Sequence, residues 1–154
     1  MAETDELLTP DQYGAFKHWM VATEYLEAYL NRVLAVYGLS MTEYRMLVVL
    51  NDAPAKRLRM SDLASDARHS LSRSSHTIAR MEARGWVQRV PHDGDRRVIY
   101  VTLTAEGIEL FRQATPPYHA AIRRVFVQAV GDDQIETLES VVQRIITATT
   151  VILR

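Results

Sequence analysis

The sequence of 154 residues contains no cysteine, which excludes disulfides, thiolate metal sites and thiol redox switches. Its apolar runs, such as MLVVL at residues 46–50, are far shorter than the ~20 residues that a membrane-spanning helix needs. The acidic N-terminal stretch lacks the basic and then apolar order of a signal peptide. We therefore expect a cytoplasmic protein without a membrane partner.

Catalytic and metal-binding motifs are also missing. The five histidines are scattered and show no metal-ligand spacing such as HExxH. The chain has no GxSxG motif, no phosphate-binding loop and no dinucleotide fingerprint, and its serines have no matched base. We expect neither an enzyme nor a metalloprotein, and no cofactor.

The small net charge of −1 hides an uneven distribution of charge along the chain. Residues 54–97 carry ten Lys/Arg against five Asp/Glu, a balance of +5, whereas the remainder carries eight against fourteen, a balance of −6. A basic segment is typical of nucleic-acid binding, although a solvated surface produces the same pattern. Geometry has to decide between the two.

Start and stop signals predict helices in the first third of the chain. Thr9, followed by proline, caps a first helix that runs to about Tyr37 and ends at Gly38. SMTE at residues 40–43 is a capping box for a second helix, which ends near Pro54.

The basic segment reads as two helices followed by a hairpin. A short third helix with Ser61 as its cap is followed by a serine-rich break at Ser70 and a fourth helix that ends at Gly85. The β-branched and aromatic runs at residues 86–90 and 98–103 then predict a β-hairpin.

Two more helices complete the chain. Thr104 caps the next helix, and we expect Pro116 and Pro117 to interrupt or restart it, with Thr115 as a second cap. A last helix over residues 134–152 is apolar on one side, and the first helix is apolar on two. Either both ends build a dimer interface or the two helices pack on each other within one monomer.

The fourth helix separates a basic face from an apolar face. At ~100° per residue, Arg80 and Arg84 fall within roughly 20° of Arg73, whereas Leu71 and Ile78 lie on the opposite side. With the short third helix it forms a helix-turn-helix, whose second helix fits a major groove. The candidate DNA-binding residues of this helix are Ser72, Arg73, Ser74, Ser75, His76, Thr77, Arg80 and Arg84.

The position of each residue along the basic face of the fourth helix predicts its role. Arg73 and His76, near the start, are the candidate base readers, and Arg80 and Arg84 the candidate phosphate contacts. The small serines of the first turn let the backbone approach a phosphate. The alternative is an amphipathic surface helix with solvated arginines.

The hairpin favours DNA. A basic hairpin directly after such a helix makes a wing whose arginines can enter a minor groove, where the negative potential is strong. The candidate wing residues are His92, Asp95, Arg96 and Arg97, with Asp95 orienting or partly neutralising Arg97.

These segments resemble the MarR family of winged-helix regulators. The resemblance rests on GLSMTEYRMLVVL, MSDLASDA, SRSSHTIARMEARGWVQRV and DGDRRVIYVTLTAEG, and it covers nearly the whole chain. It implies a cytoplasmic homodimer that binds a pseudo-palindromic double-stranded DNA operator and represses transcription, released by a small aromatic or anionic effector. The lack of cysteine excludes the thiol switch of the peroxide-sensing branch.

The expected fold is mainly α with a small β-hairpin wing. Residues 1–38 and 105–154 supply dimerisation helices, and residues 39–104 form the winged helix-turn-helix lobe within one compact chain. The rival function is a protein–protein interaction module whose basic face docks an acidic partner. A ligand pocket of aromatic and cationic side chains is a further hypothesis, with packing as its alternative; its residues would be His18, Trp19, Tyr44 and Arg45.

Overall fold

The computed structural model describes residues 7–66, 71–92 and 94–152, without the side chains of residues 66, 96 and 97. Within these residues the chain is mainly helical with one small antiparallel sheet, as the sequence predicts. The helices and strands, in chain order, are α1 (Pro10–Ala35), α2 (Met41–Asp52), β1 (Arg57–Arg59), α3 (Met60–Asp66), α4 (Leu71–Ala83), β2 (Val87–His92), β3 (Asp95–Leu103), α5 (Ala105–Ile122), α6 (Gln128–Val130) and α7 (Ile135–Ile152).

The predicted capping signals shape both ends of the helices around the lobe. Ser40 accepts from the backbone N–H of Glu43, whose carboxylate accepts from the N–H of Ser40 in return. Gly38 and Gly85 follow α1 and α4 with φ values of 69° and 75°, a conformation that glycine adopts without steric cost. Each glycine therefore turns the chain sharply into the next element.

The start of α3 differs from the expectation. The helix begins at Met60, directly after β1, so Ser61 already lies inside it. The Ser61 hydroxyl lies 3.1 Å from a carboxylate oxygen of Asp62, and no backbone N–H bonds to it among the described residues. The prediction that Ser61 caps this helix is wrong because the short strand β1 delivers the chain straight into the first turn.

One hydrophobic core holds the lobe together. Helices α2, α3 and α4 pack against the inner face of the sheet, and α5 closes the core with its small buried residues Ala114 and Ala121. Burial of apolar surface on this scale is the main source of the lobe's stability. The largest fully buried apolar side chains are Leu34, Met46, Leu47, Leu50, Leu63, Ile78, Met81, Val87 and Val101.

The sheet has the order β1-β3-β2, with β3 in the centre. The predicted hairpin is confirmed as β2 and β3, while the three-residue β1 was not predicted because it is too short for a recognisable alternation. Arg59 of β1 and Val90 of β2 both pair with Tyr100 of β3. Side chains at paired positions share one face, so the outer face of the wing brings residues of three strands together.

Helix α5 passes through Pro116 and Pro117 without a break. The predicted interruption, and the cap at Thr115, are wrong: the Thr115 hydroxyl donates to the Phe111 carbonyl one turn back (2.7 Å) and accepts from Tyr44 (3.2 Å). Two prolines remove two backbone donors, at about 3 kcal/mol for an interior proline. Packing of Tyr118 on Tyr44, with ring centres 4.4 Å apart, holds the helix together at this point.

The terminal helices leave their apolar residues uncovered. α7 has no buried residue among those described, and much of α1 is equally exposed before Leu30. No helix in the described part of the chain is long and apolar enough to cross a membrane. The exposed large apolar side chains of these two helices are Tyr13, Phe16, Trp19, Met20, Val21, Tyr25, Val141, Ile145, Val151 and Ile152.

Candidate nucleic-acid interface

Helix α4 has one solvent-exposed face that carries its charged residues and one face that is buried in the core. Ile78 and Met81 are fully buried, whereas Arg73, His76 and Arg80 are exposed. A helix with one anchored face and one polar face is what a helix-turn-helix requires of its second helix.

The exposed face of α4 borders a polar recess, which we call the α2–α4 recess. It has a volume of about 540 Å³ and opens between the start of α2 and the middle of α4. Five of the eight residues predicted to contact DNA thus lie beside two hydroxyl side chains at the start of α2, Ser40 and Thr42, which were not predicted to belong to the site. The residues lining the recess are Ser40, Thr42, Ser72, Arg73, His76, Thr77 and Arg80.

Ser74 does not belong to this surface. Its hydroxyl is fully buried and has no hydrogen-bond partner. The prediction that Ser74 contacts DNA is therefore wrong, because the helix turns this residue toward the core beside Ile78. Thr77 is only 7% exposed but still lines the recess, while Ser75 is half-buried.

A buried carboxylate lies beside the two arginines in the second half of the predicted basic face. Glu43 is 3% exposed, and its carboxylate lies 3.4 Å from the Arg80 guanidinium and 4.0 Å from that of Arg84. Its other oxygen accepts from both the N–H and the hydroxyl of Ser40. A buried carboxylate needs such partners, since an uncompensated charge in the core is costly.

Arg84 has a structural role in this geometry. It donates to the Gly38 carbonyl at 2.8 Å, and its guanidinium lies 4.9 Å from the centre of the Trp86 ring. These contacts join the end of α4 to the connection between α1 and α2. Arg80, with 55% of its side chain exposed and one carboxylate contact, retains donors on its solvent side.

The wing is attached to α4 by an ion pair that the sequence analysis missed. Glu82 lies 2.6 Å from the Arg89 guanidinium and also accepts from the Arg89 backbone N–H. These bonds to Arg89 lower the pKa of the Glu82 carboxyl from its usual value. The pair therefore links the last turn of α4 to strand β2.

The predicted wing residues lie at the end of the hairpin. His92 ends β2, and its Nδ1 accepts from the backbone N–H of Gly94 at 3.0 Å. Asp95 begins β3. The side chains of Arg96 and Arg97 lie outside the described part of the structure, so their predicted roles stay predictions.

Arginines of β1 form a cluster that the sequence analysis also missed. The Arg57 guanidinium lies 3.9 Å from the centre of the Tyr100 ring, and Arg59 donates to the Tyr100 hydroxyl at 3.3 Å. Arg-Leu-Arg at residues 57–59 is too short to indicate a strand by itself, and Tyr100, the partner of Arg59, is 41 residues away in the sequence. These residues share no ion pair with any described carboxylate.

The four predicted ligand-pocket residues do not come together. Tyr44 is 2% exposed and packs against Phe111 and Tyr118, so burial raises the pKa of its hydroxyl. His18 and Arg45 are exposed. The predicted pocket is wrong because Trp19 lies seven residues, almost two turns, before the part of α1 that packs on the lobe core, beginning at Leu26.

Trp19 instead lines an apolar groove of about 570 Å³ between α1, the π-helical turn Arg123–Val127 and the start of α7. Aromatic and aliphatic side chains form nearly all of its surface. The residues of this groove, which we call the arm groove, are Trp19, Ala22, Tyr25, Leu26, Tyr29, Val125, Phe126, Ala129, Val130 and Leu138.

Comparison with known proteins identifies the class. A sequence model of the MarR family matches residues 37–98. AbsC, a MarR family transcriptional regulator from Streptomyces coelicolor, is 32% identical with a TM-score of 0.90, covering 94% of this chain and 98% of that chain. Sco3205 from the same organism, solved in complex with DNA, is 30% identical with a TM-score of 0.90, covering 96% and 92%.

A curated relative adds a second line of similarity. The transcriptional repressor MprA of Escherichia coli K12 is 25% identical over 116 residues, which cover 75% of this chain and 65% of that protein. The match thus spans just under two thirds of the relative's length. The chain belongs to the MarR family of transcriptional regulators, as its motifs indicate.

Proposed function

We propose that this regulator binds double-stranded DNA sequence-specifically, as a homodimer on a pseudo-palindromic operator, and acts as a ligand-responsive repressor. The observation that carries the proposal is the α2–α4 recess, where Arg73, His76 and Arg80 stand on one exposed helix face beside the hydroxyls of Ser40 and Thr42. Such a face offers cationic and neutral donors to base edges and phosphates at once.

In the proposed complex, α4 lies in the major groove. Arg73 and His76 read base edges, and the small side chains of Ser72 and Ser75 let the first turn approach a phosphate. Arg80, oriented by Glu43, contacts the backbone with its solvent-side donors. Arg84 acts through its bonds to the α1–α2 connection, which hold the helix in place.

The wing completes each half-site. His92 and Asp95 lie at the hairpin end, next to Arg96 and Arg97 in the chain, and we assign this tip to the adjacent minor groove. The Glu82–Arg89 ion pair links the wing to α4, so α4 can enter the major groove while the wing enters the adjacent minor groove.

The second protomer covers the terminal helices. The exposed apolar side chains of α1 and α7, together with the arm groove, form a surface of the kind that monomeric proteins rarely expose. A two-fold axis through these helices would place two α4 helices about one helical turn of DNA apart.

The effector acts on the distance between the two lobes. A small aromatic or anionic molecule that binds one lobe spacing better than the other shifts the dimer toward the spacing that cannot reach both half-sites. Trp19 in the arm groove reports on this region, so its fluorescence should respond to a cognate effector.

Selection of binding sites from a random duplex pool tests the function. A two-fold symmetric consensus with affinity that falls steeply between about 50 and 200 mM salt supports it. Arg73→Ala should then relax the base preference at one position of each half-site, whereas Arg80→Ala should weaken all sequences alike and reduce the salt slope. Absence of salt-dependent duplex binding by the folded protein would contradict the proposal and favour an interaction module for an acidic partner.

A further inference from the structure

The outer face of the wing sheet carries an ordered cationic cluster apart from the recess and the hairpin tip. Arg57, Arg59, Tyr100 and Thr102 occupy paired positions of β1 and β3 and therefore point to the same side, while Leu58 and Val101 point to the core. We call these residues, with Gln88 of β2 opposite Thr102, the outer wing face.

Tyr100 holds both arginines in defined positions. The Arg57 guanidinium is centred 3.9 Å from the Tyr100 ring centre, and that of Arg59 lies 5.9 Å from it with a hydrogen bond to the hydroxyl. The two exposed guanidiniums thus lie close together although like charges repel. Because the ring already restricts the rotamers of both arginines, binding of an anion there requires little further loss of side-chain entropy.

The cluster has no internal counter-ion in the described part of the chain. None of the ion pairs found there includes Arg57 or Arg59. The hydrogen bond to Tyr100 is the main cause that raises the pKa of Arg59, and the charge of Asp62, which forms no ion pair with it, adds a smaller contribution. The outer wing face is thus complementary in charge to a polyanion.

Two contacts make this face continuous with the proposed DNA surface. The His92 ring, at the end of β2, is centred 5.8 Å from the Tyr100 ring. On the other side, Arg59 lines a recess together with Ser75 at the start of α4. The arginines stand two residues apart on one strand, about 6.7 Å, so they can reach different phosphates of one DNA strand.

We propose that the outer wing face binds the phosphate backbone of duplex DNA outside the half-site read by α4, with Arg57 and Arg59 as the phosphate-binding residues. This rests on the proposed function and extends it, because it adds a contact that is independent of base sequence and lengthens the bound stretch of DNA. Such contacts position the protein on the duplex and make affinity depend on salt.

The test compares charge-removing variants on two duplexes. Arg57→Gln and Arg59→Gln, singly and together, keep a planar group over Tyr100 and remove its charge. Arg112→Gln is the matched control, since Arg112 is a cation of α5 whose side chain is 71% exposed and pairs with Glu109 of the same helix. One duplex carries the selected operator alone, and the other carries it with about one helical turn of random sequence at each end.

On the long duplex, each arginine removed should flatten the salt slope by about 1.8 in a dimer, since each phosphate contact contributes about 0.9 and is made twice. The effect should vanish on the short duplex, and hydroxyl-radical protection should retreat from the outer flanks. Arg112→Gln should match the wild type, and Arg57→Lys with Arg59→Lys should restore the slope.

If the wild type binds DNA and the double variant has the same salt slope and the same hydroxyl-radical protection, this proposal is overturned and the proposed function is not. If the wild type itself fails to bind any duplex, the proposed function falls and this inference falls with it. If the double variant does not fold, the single variant Arg57→Gln serves as the test of the proposal. It is expected to fold because the described contacts of the Arg57 side chain are limited to stacking on Tyr100.

Discussion

The winged-helix lobe and the terminal helices differ in how completely one chain buries their apolar side chains. In the lobe, Leu47, Ile78 and Val101 are completely buried, and even the carboxylate of Glu43 has its partners within the chain. In the arm formed by α1 and α7, Ile145 is 49% exposed and Trp19 is 41% exposed. The lobe is thus complete as a monomer, whereas the arm has an apolar surface that a second copy would cover.

The largest expected effect breaks the arm and leaves the lobe intact. Ile145→Asp places a carboxylate on the apolar side of α7, and burying it unpaired in an interface should weaken the dimer by about 3–5 kcal/mol. Sedimentation velocity should show monomers, and circular dichroism should show unchanged helical content. Gln143→Glu, on an exposed position of the same helix, is the control, and a dimer that survives Ile145→Asp would refute the assigned interface.

Truncation inside the lobe should have the next largest effect. Leu47→Ala removes a fully buried side chain of α2, and the resulting cavity should lower the free energy of unfolding by about 2–5 kcal/mol. Val36→Ala, at a side chain 80% exposed, should stay within about 0.5 kcal/mol of the wild type. Urea unfolding followed by circular dichroism measures both, and equal losses would contradict the contrast between buried and exposed positions.

One polar atom in the lobe core is expected to reduce stability. Ser74→Ala removes a buried hydroxyl without a partner and should stabilise the protein by roughly 1 kcal/mol. DNA affinity should not change, in contrast to Ser75→Ala on the neighbouring, half-buried position. Thermal unfolding and duplex titration test the two statements separately, and lost affinity in Ser74→Ala would restore this residue to the interface.

The smallest effect concerns the joint between α4 and the wing. Because Arg89 lowers the pKa of Glu82 in the folded state, the pair stabilises the fold above the unfolded-state pKa, and this contribution is lost as the pH falls through the lowered value. Glu82→Gln should therefore cost about 0.5 kcal/mol at neutral pH and nothing in strong acid. Urea midpoints across this pH range measure it, with the exposed Glu24→Gln as control; a constant difference would contradict the assignment.

Local signals predicted the elements of the lobe well. The capping box at Ser40 and the stop at Gly85 depend on neighbours three or four residues away, so their outcome is readable in the sequence. The face of α4 follows from the helical repeat, which correctly places Arg73 outward and Ile78 inward.

Contacts between distant residues account for most of the errors. The Glu43–Arg80 ion pair spans 37 positions and the Tyr44–Thr115 hydrogen bond spans 71, and neither has a local signature. The same packing that buries Tyr44 carries α5 through Pro116 and removes Tyr44 from any ligand pocket. Tertiary contacts thus decided which side chains are buried and whether α5 continues through its prolines.

The number of chains on one operator tests the central claim most directly. Sedimentation of the selected duplex with increasing protein, at moderate salt, should show a single saturated complex of two chains per duplex, each lobe on one half-site. A saturated complex with one chain per symmetric duplex, or no complex from folded protein, would contradict the account of two self-contained lobes joined by a shared arm.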